Sequence, residues 1–330
     1  MKPSPVLTLL ITVFCIFLLS SCTSRLISVN HTEIALGTYV KLIIVTKKGD
    51  RYGAQEAIDD VYALMNTFEG DFDYRDDDGE LARFNRGTVL LREENSTLFT
   101  LLEQSLGFSQ LTDGYFDPTV LPLTQVWGFD GGSPGIPKPE DLEEALQRIG
   151  YQYVSITDDR IEKPVSVRFD LSGIAKGKIV DLARDYLRSA GFDDFLVDAG
   201  GDIYVSGRNL DRMKWRVAIQ DPVHRDSYSG IVEKSNAAIV TSGDYENFFI
   251  HNGKRYSHLF NPFTGFPDSD VKSVTIVSDE TTSGDALATA VFTMGSSEGF
   301  QFLLEHGIEG YIIYDSGDDI ESLSTPRFWD

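Results

Sequence analysis

Apolar positions between residues 165 and 206 fall into two short runs, 165–171 and 195–197, on either side of a segment with helical spacing. In that segment Ile179, Leu182, Ala183, Tyr186 and Leu187 share one face, which predicts a helix over 176–190 stopped by Gly191. The unit reads strand, glycine turn, helix, strand, glycine turn, strand. Its turns, Ser172-Gly173 and Gly200-Gly201, let backbone approach a ligand closely. A helix N-terminus with Lys176 and Lys178 nearby suits an anionic phosphate. Two ordinary tight turns would look the same in sequence.

Upstream, 34–46 reads as a strand interrupted by Gly37, 54–68 as a helix with one apolar face, 80–85 as a short helical piece and 97–111 as a second helix. Residues 69–79 form a very acidic loop whose Asp76-Asp77-Asp78 run is a solvated turn. A Gly/Pro-rich excursion at 130–139 leads into a helix at 139–149 and a strand at 153–156. Downstream, strands are expected at 215–220, 229–232, 237–241, 248–250, 255–257, 271–278 and 311–314, with Asn252-Gly253 as a hairpin turn. Helices are expected at 282–293 and 297–306. Runs of strands with helices interspersed predict an α+β fold of mixed, largely antiparallel sheets with flanking helices.

The chain has 330 residues, 42% of them apolar, which is enough for a sizeable core in one large domain or two closely joined parts. Its 29 basic and 51 acidic side chains give a formal charge of −22. That charge argues against nucleic acid or an anionic membrane face as a direct partner, and makes a cation at a carboxylate cluster plausible.

The N-terminus reads as an export signal, with Lys2 followed by an apolar stretch, 6–19, too short to span a bilayer comfortably. It ends in Leu19-Ser20-Ser21-Cys22, which looks like a bacterial lipobox with Cys22 as the lipidated residue. The organisation expected is therefore a signal peptide over 1–21, a lipidated polar tether over 22–33 and one catalytic domain over 34–330. The other cysteine, Cys15, lies in the signal, so no disulfide is expected. The chain would be exported and lipid-anchored, on the periplasmic side in a Gram-negative cell. Thr23, where an inner-membrane lipoprotein often has Asp, points to the outer membrane.

Three groups of residues carry candidate chemistry. Asp285 and Thr289 lie four apart on one helix face among Ala286, Ala288 and Ala290. With a backbone carbonyl they would make a hard oxygen site suited to Mg²⁺; an acid complementing the helix dipole is the plainer alternative. His258, between a hairpin and a Pro/Gly loop, would serve as a general base near neutral pH. Tyr74, Tyr115, Phe116 and Trp127 offer rings on which a planar heterocycle would stack, unless they are core.

Taken together these stretches resemble the ApbE family, the FAD:protein FMN transferases. The matching segments are Leu36-Gly37-Thr38, 114–120 with Pro122, Trp127-Gly128, 170–177, 198–202, T-S-G-D-Y at 241–245, 256–265, and D-A-L-A-T-A from Asp285. The resemblance implies a flavin site in a cleft between two joined parts and Mg²⁺-dependent transfer of FMN from the substrate FAD onto a Thr or Ser hydroxyl of an exported acceptor protein. The bond formed would be a phosphodiester, and AMP would leave. It further implies that Asp285, Thr289 and the carbonyl of Gly173 hold the metal. FAD would touch Leu36, Tyr74, Tyr115, Phe116, Asp117, Asp170, Lys176 and Leu259, and His258 would assist the acceptor hydroxyl. The chain departs from the family at Asp73 and Gly79, where serines are usual, and at Asn261, often Asp. Two other readings share these residues: a Mg²⁺-dependent FAD pyrophosphatase that uses water, and a lipoprotein that binds FAD without chemistry.

Overall fold

The structure is a computed structural model and describes residues 25–330 apart from Arg225, Asp268 and Asp318. The signal segment and Cys22 lie outside the described residues. In chain order the strands are β1 (Leu26–Ala35), β2 (Thr38–Lys47), β3 (Val89–Leu91), β4 (Ser155–Ile156), β5 (Arg160–Glu162), β6 (Phe195–Ala199), β7 (Asp202–Ser206), β8 (Trp215–Gln220), β9 (Tyr228–Lys234), β10 (Ala237–Gly243), β11 (Phe248–His251), β12 (Lys254–Ser257), β13 (Val271–Ser278), β14 (Glu309–Asp315) and β15 (Ile320–Ser324). The helices are α1 (Arg51–Phe72), α2 (Glu80–Arg86), α3 (Ser96–Leu111), α4 (Leu121–Val126), α5 (Pro139–Leu146), α6 (Ala175–Ser189), α7 (Thr281–Met294) and α8 (Ser296–His306).

One eight-stranded sheet, ordered β1-β2-β6-β7-β10-β13-β14-β15, forms the frame, and every neighbouring pair in it is antiparallel. Helices α1, α6 and α7 cover one face, burying Leu42, Ile44, Val180, Ala183, Val240 and Ala290 in a common core. The β8–β9 hairpin and Phe328 cover the other face over Val45, Val205 and Ile239. A separate aromatic core gathers Trp127, Phe129, Phe260 and Leu142, and anchors the loop that carries His258. The fold is thus α+β with antiparallel sheets and flanking helices. Among the described residues no helix is long and apolar enough to cross a membrane.

Three expectations need correction. The polar tether ends earlier than expected, because Leu26–Ala35 is a full strand paired with β2 at every position from Leu26–Lys47 to Ala35–Thr38. It is an edge strand, so its outward positions are polar and its apolar signal is weak. The expected strand at 34–46 is instead the end of this hairpin and its return. Leu36 (φ 53°) and Gly37 (φ 67°) form the two-residue turn, with both residues in the left-handed region. The expected strand at 165–171 does not form beyond one parallel bridge, Arg168 to Val120. Its backbone finds other partners: the side chain of Asn85 accepts from Phe169 N at 2.7 Å and donates to Phe169 O at 2.8 Å, and Asp170 N donates to Pro118 O at 2.8 Å.

Candidate functional site

The turn at 172–174 runs directly into α6, whose N-terminus faces a cleft lined by Phe116, Asp117, Asp170, Gly173, Lys176, Asp202, His258, Leu259, Asp285 and Thr289. Most of the residues singled out in the sequence therefore converge. The cleft continues past Lys176 in two directions. One mouth is lined by Leu36, Tyr74, Arg75, Asp170 and Ser172. The other is lined by Leu36, Tyr39, Gly200, Gly201 and His258.

The two helices meet at the metal-binding candidates. Gly177 N donates to Asp285 Oδ2 at 2.9 Å. A Cβ on Gly173 would lie 3.0 Å from Thr289 Oγ1, so only glycine brings this backbone so close to the hydroxyl. At the start of α7 the backbone N–H groups of Thr281 and Thr282 donate to the carboxylate of Asp181 in α6, at 2.9 and 2.8 Å, and that carboxylate is paired with Arg184 at 2.8 Å. This cap fixes the start of the helix that carries Asp285 and Thr289.

Carboxylates dominate the electrostatics. Asp285 is buried, and burial pushes its carboxyl up, with the Glu246 charge adding to the effect while Lys176 and the Gly177 amide oppose it. Asp202 is raised further, first by complete burial and then by Asp285 and Glu246, against the pull of Lys176. Its Oδ1 lies 3.4 Å from Lys176 Nζ, and its Oδ2 has no hydrogen-bond partner among the described residues. Burial alone would lower Lys176, but Asp202, Glu246 and Asp285 together raise it, so it is a standing cation. Lys176 and Arg75 are the basic side chains among those lining the cleft and its two mouths. The carboxylates around them would repel a pyrophosphate, and a bound cation would reduce that repulsion.

The donor set fits a hard divalent ion. A buried carboxylate, a hydroxyl and a close backbone turn face one space, with an unsatisfied carboxylate oxygen beside it. Among the described residues no three His, Cys, Asp or Glu side chains come together as a metal site. A metal held here would draw on oxygens other than carboxylates, and the Thr289 hydroxyl and the Gly173 backbone are the ones that line the cleft with Asp285.

His258 Nδ1 lies 3.1 Å from the carbonyl of Asn247. A carbonyl only accepts, so Nδ1 carries the proton and Nε2 is the basic nitrogen. Burial lowers the imidazole from its ordinary value, although Glu246 and the Asn247 carbonyl pull the other way. Asp170 is held by Thr124 Oγ1 at 2.7 Å and Ser172 N at 3.0 Å, which leaves it at the edge where the cleft meets the Tyr74 mouth. Asp117 accepts from Thr119 N at 2.8 Å and from Tyr151 N at 3.0 Å, so it shapes the loop as well as lining the cleft.

Two aromatic candidates sit elsewhere. Tyr115 points away from the cleft, donating to Glu298 at 2.8 Å and packing edge-on against Phe263. Its neighbours Phe116 and Asp117 line the cleft. Trp127 is fully buried, donates Nε1–H to Gly265 O at 2.8 Å and packs among Tyr256, Phe260 and Phe266. It is the core under the His258 loop, not a stacking platform. Tyr74 does line a mouth, and burial followed by the charge of Asp170 raises its phenol.

The departures have local causes. Asn261 Oδ1 accepts from Phe263 N and Thr264 N, a task that needs only an acceptor oxygen. Asp73 accepts from Arg75 N and pairs with its guanidinium. A Cβ at Gly79 would come within 2.3 Å of Gly70 O, so this loop has no room for serine there. Sequence reasoning assigned no role to Asp202 and did not single out Glu246. The available signal for Asp202 was an acid opening an otherwise apolar strand directly after two glycines.

A family model, the ApbE family, matches residues 36–312. A Vibrio cholerae protein named FAD:protein FMN transferase is 32% identical over 325 residues, covering 95% of each chain. A Treponema pallidum protein of the same name is 30% identical, covering 88% of this chain and 86% of its own. The solved Flavin Transferase ApbE from Vibrio cholerae superposes with a TM-score of 0.83 at 30% identity, over 92% of this chain and 98% of that one. Sequence and fold agree over nearly the whole length, and on that ground the chain belongs to the ApbE family.

Proposed function

We propose that this chain transfers the FMN moiety of FAD onto a Thr or Ser hydroxyl of an exported acceptor protein, through a phosphodiester bond, in a Mg²⁺-dependent reaction that releases AMP. The observation that carries this reading is the meeting of Lys176, His258, Asp285 and Thr289 in one cleft. The relatives named FAD:protein FMN transferase support the same reading.

In the reaction the acceptor oxygen bonds to the FMN phosphorus as the bond from that phosphorus to the bridging oxygen breaks. The bridging oxygen leaves with its electron pair on AMP. Nε2 of His258 takes the hydroxyl proton, and its Nδ1–H stays on the Asn247 carbonyl. Lys176, held by Asp202, offers a fixed positive charge to the pyrophosphate. The Gly173 backbone and the start of α6 line the same space. Asp285, Thr289 and the Gly173 carbonyl would hold Mg²⁺, which when bound neutralises pyrophosphate charge. Phosphoryl-type transfer depends on such positioning and charge more than on covalent help. Export and a lipid on Cys22 belong to the same proposal and would put the enzyme on the acceptor's side of the membrane.

The test incubates the chain with FAD, Mg²⁺ and an acceptor protein, following acceptor mass and AMP, with EDTA as control. An acceptor heavier by one FMN, lost in EDTA, supports the transferase. AMP and FMN without an adduct would replace it by a pyrophosphatase. Bound FAD without either product would leave a binding protein.

A further inference from the structure

The two mouths of the cleft share Leu36 and Lys176 and otherwise differ. Both have aromatic rings, but of the two only the Tyr74 mouth has an arginine, Arg75. The other contains His258 and is walled by Gly37, Gly200 and Gly201, which present backbone without side chains. An in-line displacement brings the nucleophile to the side of phosphorus opposite the leaving group. The base for the incoming hydroxyl therefore marks the side from which the acceptor comes.

At the rim of that mouth stands the tip of the β1–β2 hairpin. Ile34 and Tyr39 are direct cross-strand partners just outside the Leu36-Gly37 turn, and lie on the same side of the sheet. They are 70% and 71% exposed. Tyr39 itself lines the mouth, so this apolar pair is continuous with the reaction cleft. The turn is braced from behind: Leu36 N donates to Glu69 Oε2 at 3.0 Å, and a Cβ at Gly200 would strike Thr38 Oγ1 at 2.3 Å.

We propose that the Ile34–Tyr39 hairpin tip is the docking surface for the acceptor protein, receiving an apolar side chain that lies beside the Thr or Ser to be modified. This rests on the transferase reading above. An extended acceptor segment would pass along the glycine walls with its hydroxyl residue reaching His258, while its apolar neighbour covers the exposed pair.

The experiment compares Ile34→Asp and Tyr39→Ser with the wild type in the full transfer reaction, and measures FAD affinity separately by flavin fluorescence. Tyr52→Ser is the control, because Tyr52 is 84% exposed in the first turn of α1, beyond the far end of the hairpin. The expected result is a fall of about tenfold or more in kcat/KM for the acceptor with Ile34→Asp, and a smaller fall with Tyr39→Ser. The loss should sit in KM, with kcat at saturating acceptor and FAD affinity unchanged, and Tyr52→Ser should match the wild type. Unchanged kcat/KM in both hairpin variants, or a matching loss of FAD affinity, would overturn the docking surface. A wild-type chain that binds FAD but modifies no acceptor would instead overturn the transferase reading, and the docking surface with it.

Discussion

Gly177 N donates to Asp285 Oδ2 at 2.9 Å, which ties the helix that follows the candidate phosphate turn to the helix that carries the candidate metal ligands. A Cβ at residue 177 would lie 2.5 Å from the Thr281 carbonyl oxygen and 2.8 Å from the Asp285 Cβ. Neither atom belongs to a flexible side-chain end, so α6 and α7 must move apart. Gly177→Ala should destabilise the chain by about 1–3 kcal/mol and cut turnover, because Asp285 and Thr289 withdraw from Gly173. Thermal melting and AMP release check this together; a variant equal to the wild type in both would show that the helices tolerate the separation.

Asp181 carries the N-terminal cap of α7 almost alone, with Thr282 giving it both an N–H at 2.8 Å and a hydroxyl at 2.5 Å. Asp181→Ala should cost about 2 kcal/mol in urea unfolding, at the upper end for a cap because the site is buried. Asp181→Asn keeps one acceptor oxygen and should cost less. Equal losses for both variants would point to the Arg184 ion pair as the part that matters.

Burial of the Asp285 carboxyl makes stability depend on pH. In the folded chain its carboxyl holds a proton up to about pH 6, whereas in the unfolded chain it releases it near 3.8. Its contribution to stability is therefore full below the ordinary carboxylate range and is lost as pH rises through about 6. Without divalent cation at pH 7, Asp285→Asn should melt above the wild type, by about 1–2 kcal/mol in stability. The gap should close at pH 4. The Asn oxygen still accepts from Gly177 N, so packing is kept. Mg²⁺ should raise the melting temperature of the wild type and not of the variant, and the variant should be inactive. A variant that melts lower at pH 7 would contradict the assignment of strain to this carboxylate.

His258→Gln should slow transfer by about 10²–10⁴-fold while FAD affinity stays within a few-fold of the wild type. Burial lowers the imidazole, so the basic form persists below the ordinary histidine range. The wild-type kcat/KM should rise with pH through that lowered value and stay flat above it, and the variant should lose this acid limb. Loss of FAD binding in the variant would make the residue structural.

Some of this was open to inspection in the chain itself. Helices α1 and α6 follow from apolar spacing, because each buries one stripe against the sheet. Strand β13 is found at the predicted residues, since it lies inside the sheet and carries a buried β-branched run from Val274 to Ile276. Strands β1 and β15 were illegible or missed: both lie at the sheet's edges, where exposed positions are polar and no alternation survives. The segment 165–171 has the composition of a strand, yet Asn85, 84 positions from Phe169, takes its hydrogen bonds. A one-dimensional pattern cannot register such a competitor.

The sequence by itself determined the residue types and their order: a glycine turn before a lysine-bearing helix, an Asp and a Thr four apart among alanines, a histidine in a proline loop. Those depend on local spacing, which the chain carries wherever it folds. Only the tertiary structure decided which of them share a space. It drew Asp202 and Glu246 beside Lys176, put Phe116 into the cleft and turned Tyr115 out of it, and buried Trp127 beneath the His258 loop. Those outcomes depend on contacts between positions up to 183 residues apart, as for Tyr115 and Glu298, and these are fixed by packing of whole elements rather than by any local pattern.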